Sequence, residues 1–185
     1  MREPIINHIF PTPVYITEID REFTKQELNF VKEQKKHCSK NAGNINTKDN
    51  YILNRKEFKN IKKFLNKHCK NYLDTIICPK NNLELYITQS WLNYTEANQY
   101  HHKHAHPNSV TEQQIKPIID NTKFNLSNSE TWFFPVETGR LIMFPSSTIH
   151  SVEIKKGKNT RISLAFNTFY KGTIGSSVGL SELIL

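Results

Sequence analysis

Four of the eight histidines in the chain lie within six residues, in a segment that reads YHHKHAHPNS. If this segment is extended, His102, His104 and His106 point to one face and His101 to the other. Side chains two residues apart on a strand are about 6.5–7 Å apart at Cβ, so two of these imidazoles can bind one metal ion. A third ligand must come from elsewhere, and His150 is the best candidate. The alternative for any one of these histidines is an exposed position without a ligand.

A second chemical group follows eleven residues after His150, where the chain reads RISLAFN. On an extended segment, Arg161, Ser163 and Asn167 share one face. An arginine that points inward from a sheet is costly unless it meets an anion. A dicarboxylate is such an anion, because the guanidinium fork matches a carboxylate and a nearby hydroxyl can add a hydrogen bond. The alternatives for Arg161 are a structural ion pair or an outward orientation.

The N-terminal part of the chain is predicted to be mainly helical. A first strand around Phe10 to Ile19 precedes a helix from about Phe23 to His37, with Thr24 as a candidate N-cap. A polar loop is predicted from Ser39 to Asn50. Apolar residues at three- and four-residue steps then predict a second helix. Its buried stripe comprises Phe58, Ile61, Phe64, Leu65, Cys69 and Tyr72.

After Pro79 apolar and polar residues alternate, which predicts strands. The segments are Leu83 to Tyr94, Thr131 to Phe134, Arg140 to Phe144, Ile149 to Ile154, and Thr160 to Tyr170. Short strands separated by turn signals favour a β-sandwich or jelly roll. We therefore expect a single domain of the α+β class, mainly β, in which N-terminal helices buttress one sheet. It comprises a helical part (1–80), a β-core (81–172) and a tail (173–185).

The net charge of +8 raises the question of nucleic-acid binding. The lysines concentrate in the two predicted helices, where lysine normally forms the solvated face, so nucleic acid is a disfavoured partner. The three cysteines lack the spacing of a zinc site or a disulfide framework. No segment has the ~20 apolar residues of a membrane span, and the N-terminus lacks the features of a signal peptide. We expect a soluble cytoplasmic protein that does not bind membranes.

These residues resemble the Fe(II)- and 2-oxoglutarate-dependent oxygenase superfamily, and more narrowly its branch in marine phages and bacteria. That branch has a Ser-Trp-x-Asn strand, then Tyr-His-x-x-His-x-His-Pro-Asn-Ser, Gly-x-Leu-x-x-Phe-Pro-Ser, a distal histidine and Arg-Ile-Ser-x-x-Phe-Asn. The matching positions are Ser90–Asn93, Tyr100–Ser109, Gly139–Ser146, His150 and Arg161–Asn167. The resemblance covers roughly residues 83–172, and the helical N-terminal half is also similar.

The resemblance implies a double-stranded β-helix (a cupin-like jelly roll) that uses Fe(II) and 2-oxoglutarate. Its reaction would hydroxylate an unidentified small molecule or protein side chain and release succinate and CO2. The implied metal ligands are His104, His106 and His150, while Arg161 and Ser163 would bind the cosubstrate. Whether His102 replaces one of the ligands is open. The other expected pocket residues are Asn93, Tyr100, His102, Asn108 and Asn167. A phage-encoded member would act in the host cytoplasm.

Two features depart from the family pattern. His106 stands where many relatives carry aspartate, so three neutral imidazoles would leave the charge of the metal to be cancelled by the dianionic cosubstrate. After Val110 the family continues into a core strand, whereas the residues that follow Val110 here have no strand pattern. Either a central strand is missing or a segment of the full protein is absent, which puts catalytic competence in question.

Two other functions compete with this interpretation. One is a three-histidine dioxygenase that does not use 2-oxoglutarate, and the other is a catalytically impaired jelly roll that serves as a metal-binding interaction module. Arg161 argues against the first, because it has an obvious role only when a dicarboxylate is bound. The departure after Val110 favours the second. The oligomeric state is open, with a homodimer among the alternatives.

Overall fold

The computed structural model of the protein describes residues 12–104 and 131–185. They form two compact units, one from residues 12–20 and 131–149 and the other from residues 21–104 and 150–185. A single-domain organisation stays a prediction. The helices and strands are β1 (Tyr15–Glu18), α1 (Lys25–Gln34), β2 (Cys38–Asn41), β3 (Asn44–Thr47), α2 (Lys59–Tyr72), β4 (Leu83–Thr95), β5 (His101–His104), β6 (Arg140–Met143), β7 (His150–Val152), β8 (Arg161–Ile174) and β9 (Leu183–Ile184).

The smaller unit contains one antiparallel strand pair. β1 pairs with β6, and Glu18 lies opposite Arg140. The Arg140 guanidinium donates to the Glu18 carboxylate at 2.8 Å, which ties the two strands at this end. The strand predicted at residues 131–134 is wrong, since residues 131–137 have no strand pairing. Trp132 and Phe133 are exposed there, so the apolar residues that suggested a strand have no sheet to cover in the described part of the chain.

Helix α1 begins at a capping box, as Thr24 predicts. Thr24 Oγ1 accepts from the Glu27 backbone N–H, and Glu27 Oε2 accepts from the Thr24 N–H. This satisfies two amides that a helix N-terminus leaves unpaired. Arg21 donates to both carboxylate oxygens of Glu27, at 2.6 and 2.9 Å. Glu27 is buried, and its hydrogen bonds, that from Arg21 first, hold the pKa of its carboxyl below its usual value.

Helix α2 presents the predicted apolar stripe to strand β4. Ile61, Leu65, Cys69 and Tyr72 are buried at three- and four-residue spacing. Burial raises the pKa of the Cys69 thiol to about 11, so this thiol is a core group without nucleophilic character. Most lysines of the helix are exposed on its other side.

A five-stranded antiparallel sheet forms the larger part of the second unit, in the order β2-β3-β4-β8-β9. Its centre is the pairing of the two longest strands, β4 and β8, which ends with Thr95 opposite Arg161. Successive residues alternate between the two faces of a sheet. Leu92 and Tyr94 are fully buried on one face, and the Tyr94 hydroxyl donates to the Val31 carbonyl of α1 at 2.6 Å. The helices therefore cover this face.

The loop predicted from Ser39 to Asn50 is wrong, because it contains the hairpin β2–β3. These strands pair from Cys38 opposite Thr47 to Asn41 opposite Asn44, around a two-residue turn. Gly43 closes the turn with a φ of +85°, which glycine adopts without steric cost. The strand residues are almost all polar, so apolar alternation could not reveal them.

The described residues are mainly β with two α-helices and short 3-10 and π turns, which confirms the expected class. They are compatible with a β-sandwich, whereas a jelly roll stays a prediction. Within residues 12–104 and 131–185, neither helix has the length and apolar character to cross a bilayer.

We predict that Glu27→Gln lowers the free energy of unfolding by about 1–3 kcal/mol at neutral pH, because the variant loses the charged partner of Arg21 and weakens the cap. The folded-state pKa of Glu27 is depressed, so its contribution is present above the unfolded pKa and is lost as the pH falls through the folded value. Urea unfolding at neutral and acidic pH should show the difference from wild type shrinking in acid.

The matched control is Glu33→Gln on the same helix, where the carboxylate is exposed and pairs with the exposed Lys36. Its unfolding midpoint should equal that of wild type. A Glu27→Gln midpoint equal to that of the control would contradict the importance of the cap.

Candidate metal and cosubstrate site

A short strand pair carries the histidines singled out in the sequence. β5 and β7 are antiparallel, with His104 opposite His150 and His101 opposite Val152. The ring centroids of His104 and His150 are 4.3 Å apart. The structure therefore brings together two of the three expected ligands, although they are far apart in the sequence. His106 and Asn108 lie outside the described residues.

The histidine cluster (His101, His102, His104 and His150) is larger than the sequence suggests. Three steps along β5 match two along β7, so the strand is irregular between His101 and His104. As a result His101 stacks on His104 with centroids 4.7 Å apart, and the ligand nitrogens of His101, His102 and His104 lie within 4.8 Å of one another. The expectation that His101 faces away from the others is therefore wrong. Residue types alone do not reveal an irregularity of this kind.

The hydrogen bonding of His104 identifies its donor nitrogen. Nδ1 of His104 lies 2.8 Å from the carbonyl oxygen of His102. A carbonyl can only accept, so Nδ1 carries the proton and Nε2 keeps the lone pair. A backbone partner of this kind orients many metal-binding histidines. His104 therefore presents one nitrogen, Nε2, to a metal.

His101 and His102 are also suited to bind a cation. Burial lowers the pKa of His101 to about 4, and the neighbouring histidines and Arg161 add to the shift. The His101 ring is therefore neutral at neutral pH, as a ligand must be. Nδ1 of His102 is buried, and none of the described residues forms a hydrogen bond with it. A buried nitrogen without a partner is the condition that a bound metal would relieve.

Arg161 lies at the start of β8, half-buried and without a carboxylate partner in the described ranges. Its guanidinium donates to Thr95 Oγ1 at 3.2 Å on the neighbouring strand. Burial lowers its pKa, and no acidic group among the described residues offsets that effect. Because the guanidinium stays protonated, the desolvated charge favours a bound anion. The inward orientation of Arg161 thus agrees with the requirement for a carboxylate.

The sheet face that carries Arg161 is polar, in contrast to the face that packs on the helices. Asn93 lies opposite Ser163 on β8 and opposite Asn46 on β3, so these side chains share the face of Arg161. Asn44, two residues before Asn46, lies on it as well. The Asn44 side-chain amide and Asn93 Oδ1 are buried and have no hydrogen-bond partner among the described residues. This face therefore offers polar groups to a ligand.

The other predicted pocket residues in the described part of the chain are exposed or half-buried. Ser163 is on the correct face but exposed. Tyr100 is exposed as well, and its backbone N–H donates to the Gly43 carbonyl at 3.1 Å. Asn167 is half-buried, and its backbone carbonyl accepts from the Thr88 hydroxyl.

Two residues that sequence reasoning missed hold the site strands in place. Gly43 lies so close to the residue before β5 that a Cβ atom on it would be 2.6 Å from the Tyr100 carbonyl oxygen. Lys155 is buried; its backbone N–H donates to the Gln99 carbonyl at 2.8 Å, and its ammonium donates to Gly157 O and Asn159 Oδ1. The hydrogen bonds of Lys155 thus fix both the residue before Tyr100 and the loop that leads into β8. The turn composition around Gly43 was a usable signal, whereas nothing in the sequence marks Lys155.

The donor groups fit the cofactors implied by the sequence. Neutral imidazoles are suitable ligands for iron, and a half-buried arginine without an acidic partner is suitable for a carboxylate. The proximity of His104 and His150 and the desolvated charge of Arg161, which has no acidic partner among the described residues, are the two structural observations that support this fit.

Comparison with known family models matches part of the chain. Residues 111–167 match a family model described as “Putative 2OG-Fe(II) oxygenase”, which confirms the resemblance to these oxygenases, whereas the narrower phage and bacterial branch stays a prediction. The matched segment contains His150, Arg161 and Ser163, whereas His101 to His104 precede it. The match also begins directly after Val110, where the sequence departs from the expected strand. No curated protein matches the chain.

We predict that Gly43→Ala disturbs the histidine strand. Its positive φ disfavours any side chain, and the added methyl would meet the Tyr100 carbonyl. Gly157→Ala is the matched control, since Gly157 has a φ of +87° but its nearest neighbour to an added Cβ is 3.6 Å away. Thermal or urea unfolding should place Gly43→Ala roughly 1–3 kcal/mol below Gly157→Ala in stability. Equal stabilities would mean that the close approach has no structural role.

Proposed function

We propose that the protein is an Fe(II)- and 2-oxoglutarate-dependent dioxygenase that hydroxylates a C–H bond of a small molecule or protein side chain. The observation that carries the proposal is the convergence of His104 and His150 in the same unit as Arg161, a half-buried cation with no acidic partner among the described residues. The family match over residues 111–167 supports the same chemistry. The proposed fold is a double-stranded β-helix.

In this proposal His104, His106 and His150 hold the iron. His104 would donate through Nε2, because its Nδ1 proton is engaged by the His102 carbonyl. When bound, Fe(II) and 2-oxoglutarate supply the oxidative chemistry, which consumes O2, releases succinate and CO2 and inserts one oxygen atom into the substrate. The residues of the chain contribute the geometry and the charge.

Arg161 would bind the distal carboxylate of 2-oxoglutarate. Thr95 accepts one guanidinium N–H and so fixes the orientation of the fork. Ser163 lies on the same face, opposite Asn93 on β4, and would add a hydroxyl donor to that carboxylate. The polar sheet face thus accounts for cosubstrate binding with residues from two adjacent strands.

We predict that wild-type protein, titrated anaerobically with Fe(II) and then 2-oxoglutarate, develops the visible charge-transfer absorption of an iron–oxo-acid complex. His150→Ala should abolish the band, because it removes one of three protein ligands. His37→Ala, an exposed histidine outside the cluster, is the matched control and should retain it. Iron binding without a band in wild type would instead favour a three-histidine dioxygenase or a metal-binding module, and absence of iron binding would contradict the proposal.

We further predict that Arg161→Met weakens 2-oxoglutarate binding by about 10–100-fold, as expected for losing a charge-assisted hydrogen-bonded pair. Iron binding should persist. Without cosubstrate the variant should be at least as stable as wild type, since no acidic partner in residues 12–104 and 131–185 offsets the burial of the arginine charge. Anaerobic titration and thermal unfolding check the two parts. Lys171→Met, an exposed cation on the same strand, is the control and should change neither quantity; unchanged affinity in Arg161→Met would remove Arg161 from the site.

A further inference from the structure

Strand β5 alone brings three imidazoles together. The ligand nitrogens of His101, His102 and His104 lie within 4.8 Å of one another, and all three residues are half-buried. For Zn–N bonds of about 2.0–2.1 Å, a tetrahedral site needs donor nitrogens roughly 3.4 Å apart. Side-chain rotations that move the donor nitrogens closer together by about 1 Å or slightly more would therefore place all three around one ion.

The proposed iron site leaves two of these three histidines unused. His101 reaches the group only because β5 carries an extra residue relative to β7. Nδ1 of His102 is buried and has no hydrogen-bond partner in the described ranges. A buried ring nitrogen in this state needs a proton acceptor, a donor or a metal to offset its desolvation. A metal ion would bind this nitrogen and would also use His101, which the irregularity of β5 turns toward the group.

His104 cannot serve two metals at once. Its Nδ1 proton is donated to the His102 carbonyl, so Nε2 is the one ring nitrogen that carries a lone pair. A metal bound by His101, His102 and His104 therefore withdraws His104 from the pair that it forms with His150. Occupation of one ligand set excludes occupation of the other.

The chemistry of the three-imidazole set selects its ion. Imidazole donors bind zinc, nickel and copper more tightly than ferrous iron, following the usual order of divalent metals. Three protein nitrogens and one open position are the common arrangement of non-structural zinc sites.

We propose that His101, His102 and His104 form an alternative site for a nitrogen-preferring divalent metal such as Zn(II), which competes with the proposed iron site for His104. The binding of zinc stands on the geometry of β5 alone, whereas the competition rests on the proposed function. Zinc would thus act as an inhibitor that holds His104 away from the catalytic set.

The test is a Zn(II) titration of metal-free protein, followed with a competing chromophoric chelator. The double variant His101→Gln/His102→Gln should bind Zn(II) on the order of 100-fold more weakly than wild type. His150→Ala and His37→Ala should bind it as wild type does. Circular dichroism establishes that each variant is folded, and the two single variants replace the double variant if it is not.

Zinc affinity that is unchanged in the double variant, or lost in His150→Ala, would overturn the proposal, since the ion would then use the other ligand set. A second readout separates the two proposals. Zn(II) should suppress the iron–2-oxoglutarate absorption of wild type over the concentration range in which the chelator titration shows zinc to bind. If wild type shows no such absorption while zinc binding still depends on His101 and His102, the proposed function fails and the zinc site stands.

Discussion

The pairing of β4 with β8 is the constraint on which the rest of the larger unit depends. Because side chains alternate along both strands, this one pairing creates two faces of opposite character. Leu92 and Tyr94 are fully buried on the face that meets the helices. Asn93 and Arg161 therefore lie on the other face, where they need no apolar partner. The core and the candidate ligand face are two consequences of the same register, and a one-residue slip would exchange them.

The position of the histidine strand is set by backbone contacts at its entry. The Gly43 carbonyl accepts from Tyr100, and the Gln99 carbonyl accepts from Lys155. Backbone hydrogen bonds therefore hold the start of β5 against the β2–β3 hairpin and against the loop before β8. Buried Lys155 is tolerated because its ammonium has three oxygen acceptors. Rigid support of this kind is what a metal site requires, since ligand positions must be held before the ion arrives.

The sequence predicted the elements whose signals are local. The apolar stripe of α2, the Thr24 cap and the alternation in β4 all follow from periodicity or capping chemistry, and each is present. It also selected His104 and His150, which the structure brings together. It failed at the polar hairpin containing Gly43, because its strands carry almost no apolar residues that could alternate. It also failed at the irregular strand that turns His101 toward its neighbours, because that irregularity depends on pairing with β7, which is distant in sequence.

Charge explains why metal binding at the histidine cluster and anion binding at Arg161 should depend on each other. The cluster consists of imidazoles, which supply no negative charge, and Arg161 is a desolvated cation close enough to depress the pKa of His101. A divalent ion bound to imidazoles alone keeps its full charge, and Arg161 opposes that charge further. A dianion that contacts both relieves both penalties. Metal and dicarboxylate should consequently raise each other's affinity by the same factor, because coupling between two binding equilibria is reciprocal. A site with a carboxylate ligand would show less of this coupling, since part of the metal charge would already be neutralised.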